Sequence, residues 1–122
     1  MYNPIYKYSL ETILVHINIC NKRFSEIHNP ADFISTDHGK TLLDAIVTRL
    51  QAIGQNLKNI SRKHNLLKIN YPEMEWTKII RFRDFISHHY EMLDYEIVYE
   101  ICEDYLPKLE TVLKEELAKF KS

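Results

Sequence analysis

Residues 42–60, LLDAIVTRLQAIGQNLKNI, carry the clearest helical pattern in the sequence. Apolar side chains recur there in steps of three and four, which places them on one face of an α-helix. That face consists of Leu42, Leu43, Ile46, Val47, Leu50, Ile53, Leu57 and Ile60. We expect the helix to begin near Ser35-Thr36-Asp37 and to end at about Ser61. Gly54 weakens a helix by about 1 kcal/mol relative to Ala, which predicts close approach of another backbone at this position.

The same period continues on both sides of this helix. A first helix is predicted up to the break at residues 28–30, His-Asn-Pro, because Pro disfavours helical geometry in the residue before it. Residues 70–73, Asn-Tyr-Pro-Glu, indicate a loop that leads into a helix with Pro72 in its first turn. A last helix, capped by Asp94, is expected to kink at Pro107. The sequence therefore predicts an all-α, up-and-down bundle of four to five helices.

Length and composition narrow the class of protein. The 122 residues are enough for one domain, which we expect to span residues 1–122. Sixteen basic and seventeen acidic residues nearly balance, so binding of nucleic acid would have to come from a local basic patch. Cys20 and Cys102 both fall in apolar periodic runs, which favours buried thiols over a disulfide or a metal site. With no signal peptide or long apolar run, we expect a cytoplasmic protein that does not enter a membrane.

The segment RDFISHHY, residues 83–90, concentrates groups that handle phosphate and protons. An Arg binds phosphate through its planar fork, and a His titrates near neutral pH. On a straight helix Arg83 and Tyr90 would share a face, whereas His88 would diverge from Arg83 by roughly 140° unless the helix ends or bends there. The alternative is an ordinary helix C-terminus, where cations and His are favoured by the helix dipole.

Further basic residues surround this segment. Lys78 and Arg81 add positive charge beside Arg83. A second basic stretch, which could contact an RNA backbone or be a solvated helix end, consists of Lys58, Arg62, Lys63, His64 and Lys68. Neither group is specific to nucleic acid on its own.

The spacing Arg83, four residues, His88, one residue, Tyr90 resembles the R-x4-H-x-Y motif of the HEPN superfamily, in particular its HepT-type toxins. The resemblance extends to residues 49–54, Arg-Leu-Gln-Ala-Ile-Gly, to Trp76 with Ile79, and to residues 104–107, Asp-Tyr-Leu-Pro. It covers nearly the whole chain. HepT-type members usually have Asn at the position of Asp84, where the superfamily accepts several polar residues.

This resemblance implies a metal-independent ribonuclease without a cofactor. In that reaction a base deprotonates the ribose 2′-OH, and an acid protonates the leaving 5′-oxygen. The resemblance implies His88 as the acid or base and Arg83 as the group that stabilises charge on the phosphate. Asp84 would hold the Arg or the His, and Tyr90 would line the site. Lys78, Arg81 and His89 are candidate contacts to RNA, with DNA not expected as a substrate.

Partners are also implied by the resemblance. Two imidazoles are needed and one chain offers one His88, so a homodimer is expected. HepT-type toxins are neutralised by an MNT-type nucleotidyltransferase antitoxin that transfers AMP to the motif tyrosine. The resemblance implies Tyr90 as that tyrosine in this chain. Two alternatives stay open: a non-catalytic helical module that pairs with a nucleotidyltransferase, and a plain helical oligomer whose residues 83–90 close an interface.

Overall fold

A computed structural model describes residues 4–63 and 65–120, and helices are the only regular secondary structure within them. His64, a member of the second basic stretch, lies outside the described residues. The α-helices are α1 (Pro4–Phe24), α2 (Asp37–Lys63), α3 (Leu66–Asn70), α4 (Trp76–His88), α5 (Tyr95–Glu100) and α6 (Leu106–Leu117). Short 3-10 turns form at Pro30–Phe33, Tyr90–Met92 and Ala118–Phe120, and a π-helical segment forms at Ile101–Tyr105.

Helix α2 is the centre of the bundle, as its apolar pattern predicts. All eight residues of the predicted inner face are buried. The hydroxyl oxygen of Thr36 accepts a hydrogen bond from the backbone N–H of Gly39, which caps the first turn of the helix at the expected place. Helix α2 packs against α1 on one side and α4 on another, while α1 also packs against α6. Burying α2 against α1 and α4 removes its apolar stripe from water, which is the main stabilising contribution.

Pairs of contacting residues show that successive long helices run in opposite directions. His16 and Cys20 of α1 contact Arg49 and Ile46 of α2, so higher numbers on one helix meet lower numbers on the other. Residues of α4 approach Gly54 of α2, and Tyr90, beyond the end of α4, contacts Asp44. Helices α1 and α6 pair through Tyr6 and Glu116. The predicted all-α, up-and-down bundle is therefore confirmed.

The chain between α2 and α4 differs from the prediction. Helix α4 begins at Trp76, so Pro72 is not in its first turn and Glu75 is the residue that precedes the helix. Pro72 instead follows α3, and the backbone N–H groups of Met74 and Trp76 are bonded within a turn over residues 71–76. A Pro is compatible with both a turn and a first helical position, so its presence alone could not distinguish the two.

A kink is predicted at Pro107, and the structure has a π-helical segment directly before the turn that contains this residue. Asp94 caps α5 by accepting a hydrogen bond from the backbone N–H of Glu96, as expected. The helix then widens into π geometry at Ile101–Tyr105, and α6 follows with Pro107 in its first turn. A Pro lacks an N–H and crowds the carbonyl four residues earlier. That carbonyl belongs to Glu103 in the π segment, where the wider turn relieves the crowding.

Two further expectations concern the core and the membrane. Cys20 and Cys102 are buried free thiols within the hydrophobic core, as their apolar surroundings predict. Within residues 4–63 and 65–120 there is no helix whose length and apolar character would let it span a bilayer.

Candidate active site

The RDFISHHY segment spans the end of α4 and the start of the next turn. Helix α4 ends at His88, and the backbone N–H of His89 donates to the carbonyl of Phe85 over 2.8 Å. Tyr90 begins a separate 3-10 turn. The expectation that Arg83 and Tyr90 share a face of one straight helix is therefore wrong. The helix ends between His88 and Tyr90, so Arg83 and His88 both lie within α4 and still differ by roughly 140° in direction around its axis.

Arg83 is fixed by the close contact between α2 and α4. A Cβ atom at Gly54 would lie 2.7 Å from the Cβ of Arg83 and 2.9 Å from the carbonyl oxygen of Ile79. Only Gly fits there, which confirms the close backbone approach predicted for Gly54. The base of the Arg83 side chain is held by this packing, and 28% of the side chain remains exposed to solvent.

Asp84 lies between two cations. Arg83 donates to its Oδ1 atom over 3.0 Å, and the ammonium group of Lys58 lies 3.3 Å from Oδ1 and 3.4 Å from Oδ2. The hydrogen bond from Arg83 is the main cause that lowers the pKa of Asp84, and the bond and charge of Lys58 help to outweigh the opposite effect of burial. Asp84 therefore contacts the Arg of the motif through its carboxylate.

His88 is exposed at the surface, with its ring oriented by the backbone. Its Nδ1 atom lies 2.9 Å from the carbonyl oxygen of Asp84, one helical turn earlier. A carbonyl oxygen can only accept, so Nδ1 carries the proton and Nε2 is the ring atom that can accept one. The ring of His89 packs on Phe85, with 5.1 Å between ring centroids, and lies 6.5 Å from the ring of His88. The two histidines thus have different surroundings.

Tyr90 is oriented by a residue that the sequence did not identify. Its hydroxyl donates to Oδ1 of Asp44 on α2 over 2.9 Å, although the side chain remains half exposed. Burial, and then the hydrogen bond and charge of Asp44, raise the pKa of the Tyr90 phenol. Asp44 is an exposed residue on the polar side of α2. Nothing in its local sequence separates it from other surface aspartates, since the contact spans 46 positions.

Lys78 and Arg81 lie beside an open groove of about 890 Å³ along α4. The groove is mainly apolar, with Trp76, Phe82, Phe85 and Ile97 among its lining residues. Lys78 also pairs with Glu100 of α5 over 3.1 Å. Arg83, Asp84 and His88 do not line this groove. The predicted residues therefore fall into two groups, one around Asp84 at the end of α4 and one along the groove.

Comparison with known proteins identifies the family to which this chain belongs. A protein of Methanocaldococcus jannaschii named "Putative RNase MJ0127" is 32% identical over 76 residues, which is 58% of this chain and 60% of that protein. A protein of Caldanaerobacter subterraneus subsp. tengcongensis named "Putative RNase TTE0752" is 31% identical over 80 residues, covering 66% of this chain and 69% of its own length.

A further relative from Methanocaldococcus jannaschii, named "Gamma-glutamylcyclotransferase and putative RNase MJ0434", is 31% identical over 86 residues. The match covers 68% of this chain but 37% of that longer protein. No solved structure matches the chain. Residues 13–116 match the family described as Ribonuclease HepT-like, a span that includes α2, α4 and the whole RDFISHHY segment. The chain is therefore a member of the HepT-like ribonuclease family.

Proposed function

We propose that this protein is a metal-independent endoribonuclease that uses His88 and Arg83 at the end of α4. The observation that carries the proposal is the hydrogen bond from Nδ1 of His88 to the carbonyl of Asp84. This bond leaves Nε2 of an exposed side chain able to take a proton, and Arg83, five positions earlier on α4, supplies a guanidinium group that can bind phosphate. Membership of the HepT-like family supports the assignment of RNA as the substrate.

The reaction uses the 2′-OH of the RNA itself as the nucleophile. Nε2 of His88 takes the 2′-OH proton while the 2′-oxygen forms a bond to phosphorus. The bond from phosphorus to the 5′-oxygen then breaks, and that oxygen takes a proton from a second imidazolium. Arg83 stabilises the charge that builds on the phosphoryl oxygens, and Asp84 holds Arg83 in place. Tyr90 lines the same surface, while Lys78, Arg81 and His89 contact neighbouring parts of the RNA.

The second imidazole comes from a second copy of the chain. One chain supplies one His88, and a symmetric dimer supplies two across a shared surface. Large apolar side chains are exposed around the motif, with Phe85 44%, Met92 60% and Ile97 46% exposed. Such a patch is typical of a surface that another protein covers. Sedimentation analysis at the concentration of the activity assay checks this, and a stable monomer that cleaves RNA would contradict it.

In this proposal the protein is the toxin of a toxin–antitoxin pair, and an MNT-type nucleotidyltransferase silences it by AMP transfer to Tyr90. Tyr90 is half exposed, so its phenol can be reached by a partner enzyme. An added AMP brings a phosphodiester anion and a base to the surface that would otherwise hold RNA, and its charge repels a second polyanion. Mass spectrometry of the Tyr90 peptide after incubation with that enzyme and ATP should show added AMP. An unmodified peptide would remove this part of the proposal.

The experiment that tests the nuclease is cleavage of total tRNA and of an mRNA by the purified protein in EDTA. Wild-type protein should cut RNA, and His88→Ala and Arg83→Ala should each lose about a hundredfold or more of the rate, because they remove proton transfer and charge stabilisation. His28→Ala is the matched control, since His28 is exposed but lies on the loop after α1. Intact RNA with the wild type would overturn the proposal.

A second candidate function is favoured by the apolar groove along α4, which a partner protein could occupy. In this alternative the chain is a non-catalytic module that binds a nucleotidyltransferase. The same experiment separates the two functions. A binding module tolerates His88→Ala with no change in partner binding and shows no RNA cleavage in any variant.

A further inference from the structure

Lys58 lies beside the motif although it is 25 positions away from Arg83 in the sequence. It projects from α2, one turn after Gly54, where the backbones of α2 and α4 approach most closely. Its ammonium group lies 3.3 and 3.4 Å from the two carboxylate oxygens of Asp84. Its side chain is 29% exposed, nearly the same as the 28% of Arg83. Two cations from different helices therefore converge on one carboxylate and reach the surface together.

The shared carboxylate determines the charge at this position. Arg83 and Asp84 alone would form a neutral pair, and a phosphate would have to compete with Asp84 for the guanidinium group. Lys58 adds one more positive charge, so the three groups carry a formal charge of plus one. Arg83 uses NH1 to contact Asp84, which leaves its other N–H groups as donors for a second anion.

Within residues 4–63 and 65–120, the other ion pairs do not share this arrangement. Lys78 pairs with Glu100, and Lys114 pairs with Glu110, each as one cation with one carboxylate. Such exposed pairs contribute little to stability and leave no net charge. Asp84, by contrast, contacts two cations, Arg83 and Lys58. The local excess of positive charge is what distinguishes the group around Asp84.

We propose that Lys58 is a phosphate-binding residue of the active site, acting beside Arg83 on the RNA backbone at or next to the bond that is cut. The ligand is the phosphodiester anion of RNA. Asp84 keeps the two cations apart and oriented, and the phosphate binds to their remaining donors. This inference rests on the proposed ribonuclease function and adds a residue from α2 to the site on α4.

The test compares Lys58→Ala and Lys58→Arg with Lys114→Ala. Lys114 is a matched control because it also carries one positive charge and one ion pair, but lies on α6. Cleavage of an RNA oligonucleotide in EDTA gives kcat and KM for each variant. Each change is then combined with His88→Ala, so that the RNA is bound without being cut, and the Kd is measured from low to high salt. Thermal unfolding of each variant reports whether the fold is kept.

We expect Lys58→Ala to lower kcat/KM about ten- to a hundredfold, since a charge-assisted hydrogen bond is lost. The slope of log Kd against log salt should fall by about 0.7, because one phosphate contact to a single strand is lost. Lys58→Arg should restore most of both quantities. Lys114→Ala should stay within about twofold of the wild type.

Several outcomes would overturn the inference. A lower kcat with an unchanged salt slope would show that Lys58 only holds Arg83 in place. Unchanged kcat/KM would show that Lys58 has no role while the ribonuclease function stands. If the wild type does not cleave RNA, the proposed function fails first. In that case the binding measurements still decide the role of Lys58. If the slope of log Kd against log salt is the same with Lys58 and with Lys58→Ala, Lys58 makes no phosphate contact.

Discussion

The position of Tyr90 is set by a single carboxylate rather than by the helix that carries Arg83 and His88. Helix α4 ends two residues before Tyr90, so helical periodicity does not orient the phenol. The hydrogen bond to Asp44 ties the 3-10 turn Tyr90–Met92 to α2 instead. Because the turn directly follows His88 and His89, this contact also limits where the end of α4 can move.

The contact with Asp44 should control the titration of Tyr90. Replacing Asp44 with Ala removes a hydrogen-bond acceptor and a negative charge, both of which raise the phenol pKa in addition to burial. We therefore expect the pKa of Tyr90 to fall towards its ordinary value in Asp44→Ala. Asp44→Asn keeps an acceptor but loses the charge, so its effect should be smaller. NMR titration of labelled tyrosine, assigned with Tyr90→Phe, measures both, and an unchanged Tyr90 titration in Asp44→Ala would contradict the contact.

At the scale of helices, the close contact of α2 with α4 connects the fold to the site. Gly54 allows the α4 backbone at Ile79 and the Cβ of Arg83 to lie within van der Waals contact of α2. Lys58 and Asp84 meet one turn further along α2. A change in the distance between these two helices would therefore displace Arg83 and separate Lys58 from Asp84 together.

Gly54→Ala tests this connection. Ala is a better helix former than Gly by about 1 kcal/mol, but its Cβ would lie 2.9 Å from a backbone carbonyl that cannot move aside alone. We expect the clash to dominate, with a net loss of about 1–3 kcal/mol in the free energy of unfolding and a lower rate of RNA cleavage. Urea denaturation measures the first quantity. Asn59→Ala on the exposed side of α2 is the control and should change stability by less than about 0.5 kcal/mol.

A stability equal to or above that of the wild type in Gly54→Ala would show that the two helices can separate without cost. Stability loss without any change in cleavage would show that the position of Arg83 does not depend on this contact. Either result would contradict the link between close packing at Gly54 and the position of Arg83 in the site.

The sequence predicted helices best where one periodic face is buried along its whole length. Helix α2 was expected from about residue 35 to about 61 and spans Asp37–Lys63. The start of α4 was misplaced because Pro72 fits a turn as well as a first helical position. The π-helical segment before Pro107 changes hydrogen bonding without changing the apolar pattern, so periodicity could not reveal its form.

The site was predicted in part because its residues are close together in the sequence. Arg83, Asp84, His88 and Tyr90 fall within eight positions, and their grouping is visible without a structure. Asp44 and Lys58 belong to the opposite helix, 46 and 26 positions away from the residues they contact. Such pairings depend on how α2 and α4 pack, and the spacing of a single sequence does not contain that information.

At the scale of the whole molecule, one buried carboxylate joins both ends of the described chain. Glu116 of α6 is 3% exposed and accepts hydrogen bonds from Tyr6 of α1 over 2.7 Å and from Asn70 of α3 over 3.3 Å. Lys119 completes the cluster at 2.9 Å. Because α1 and α2 are antiparallel, this cluster lies towards the end of α2 opposite to Asp44, the end that also carries Lys58. The bonds of the cluster join Tyr6, Asn70, Glu116 and Lys119 to one another, and none of these bonds reaches Arg83, Asp84 or His88. The cluster should therefore stabilise the bundle without taking part in the chemistry at His88.

The protonation of Glu116 should make stability depend on pH in the acid range. Burial alone would raise the pKa of Glu116, but the bonds from Tyr6, Lys119 and Asn70 outweigh it, so its pKa in the folded protein lies below the ordinary value of 4.5. The unfolded chain then binds the proton more readily than the folded chain does. The stabilisation is thus fully present above about pH 4.5 and is lost as the pH falls through the lower folded value.

Glu116→Gln should therefore cost about 1–3 kcal/mol in the free energy of unfolding near pH 7, since a buried charged acceptor is removed. Below about pH 4 the difference from the wild type should shrink, because the wild-type carboxylate is then being protonated as well. Urea denaturation near pH 7 and below about pH 4 measures this difference, with the exposed neighbour Glu115→Gln as the control.

RNA cleavage at neutral pH should be unchanged in both variants as long as they are folded. If Glu116→Gln loses as much stability below about pH 4 as it does near pH 7, Glu116 acts through packing alone. If folded Glu116→Gln loses RNA cleavage, this end of the bundle is coupled to the site at the end of α4.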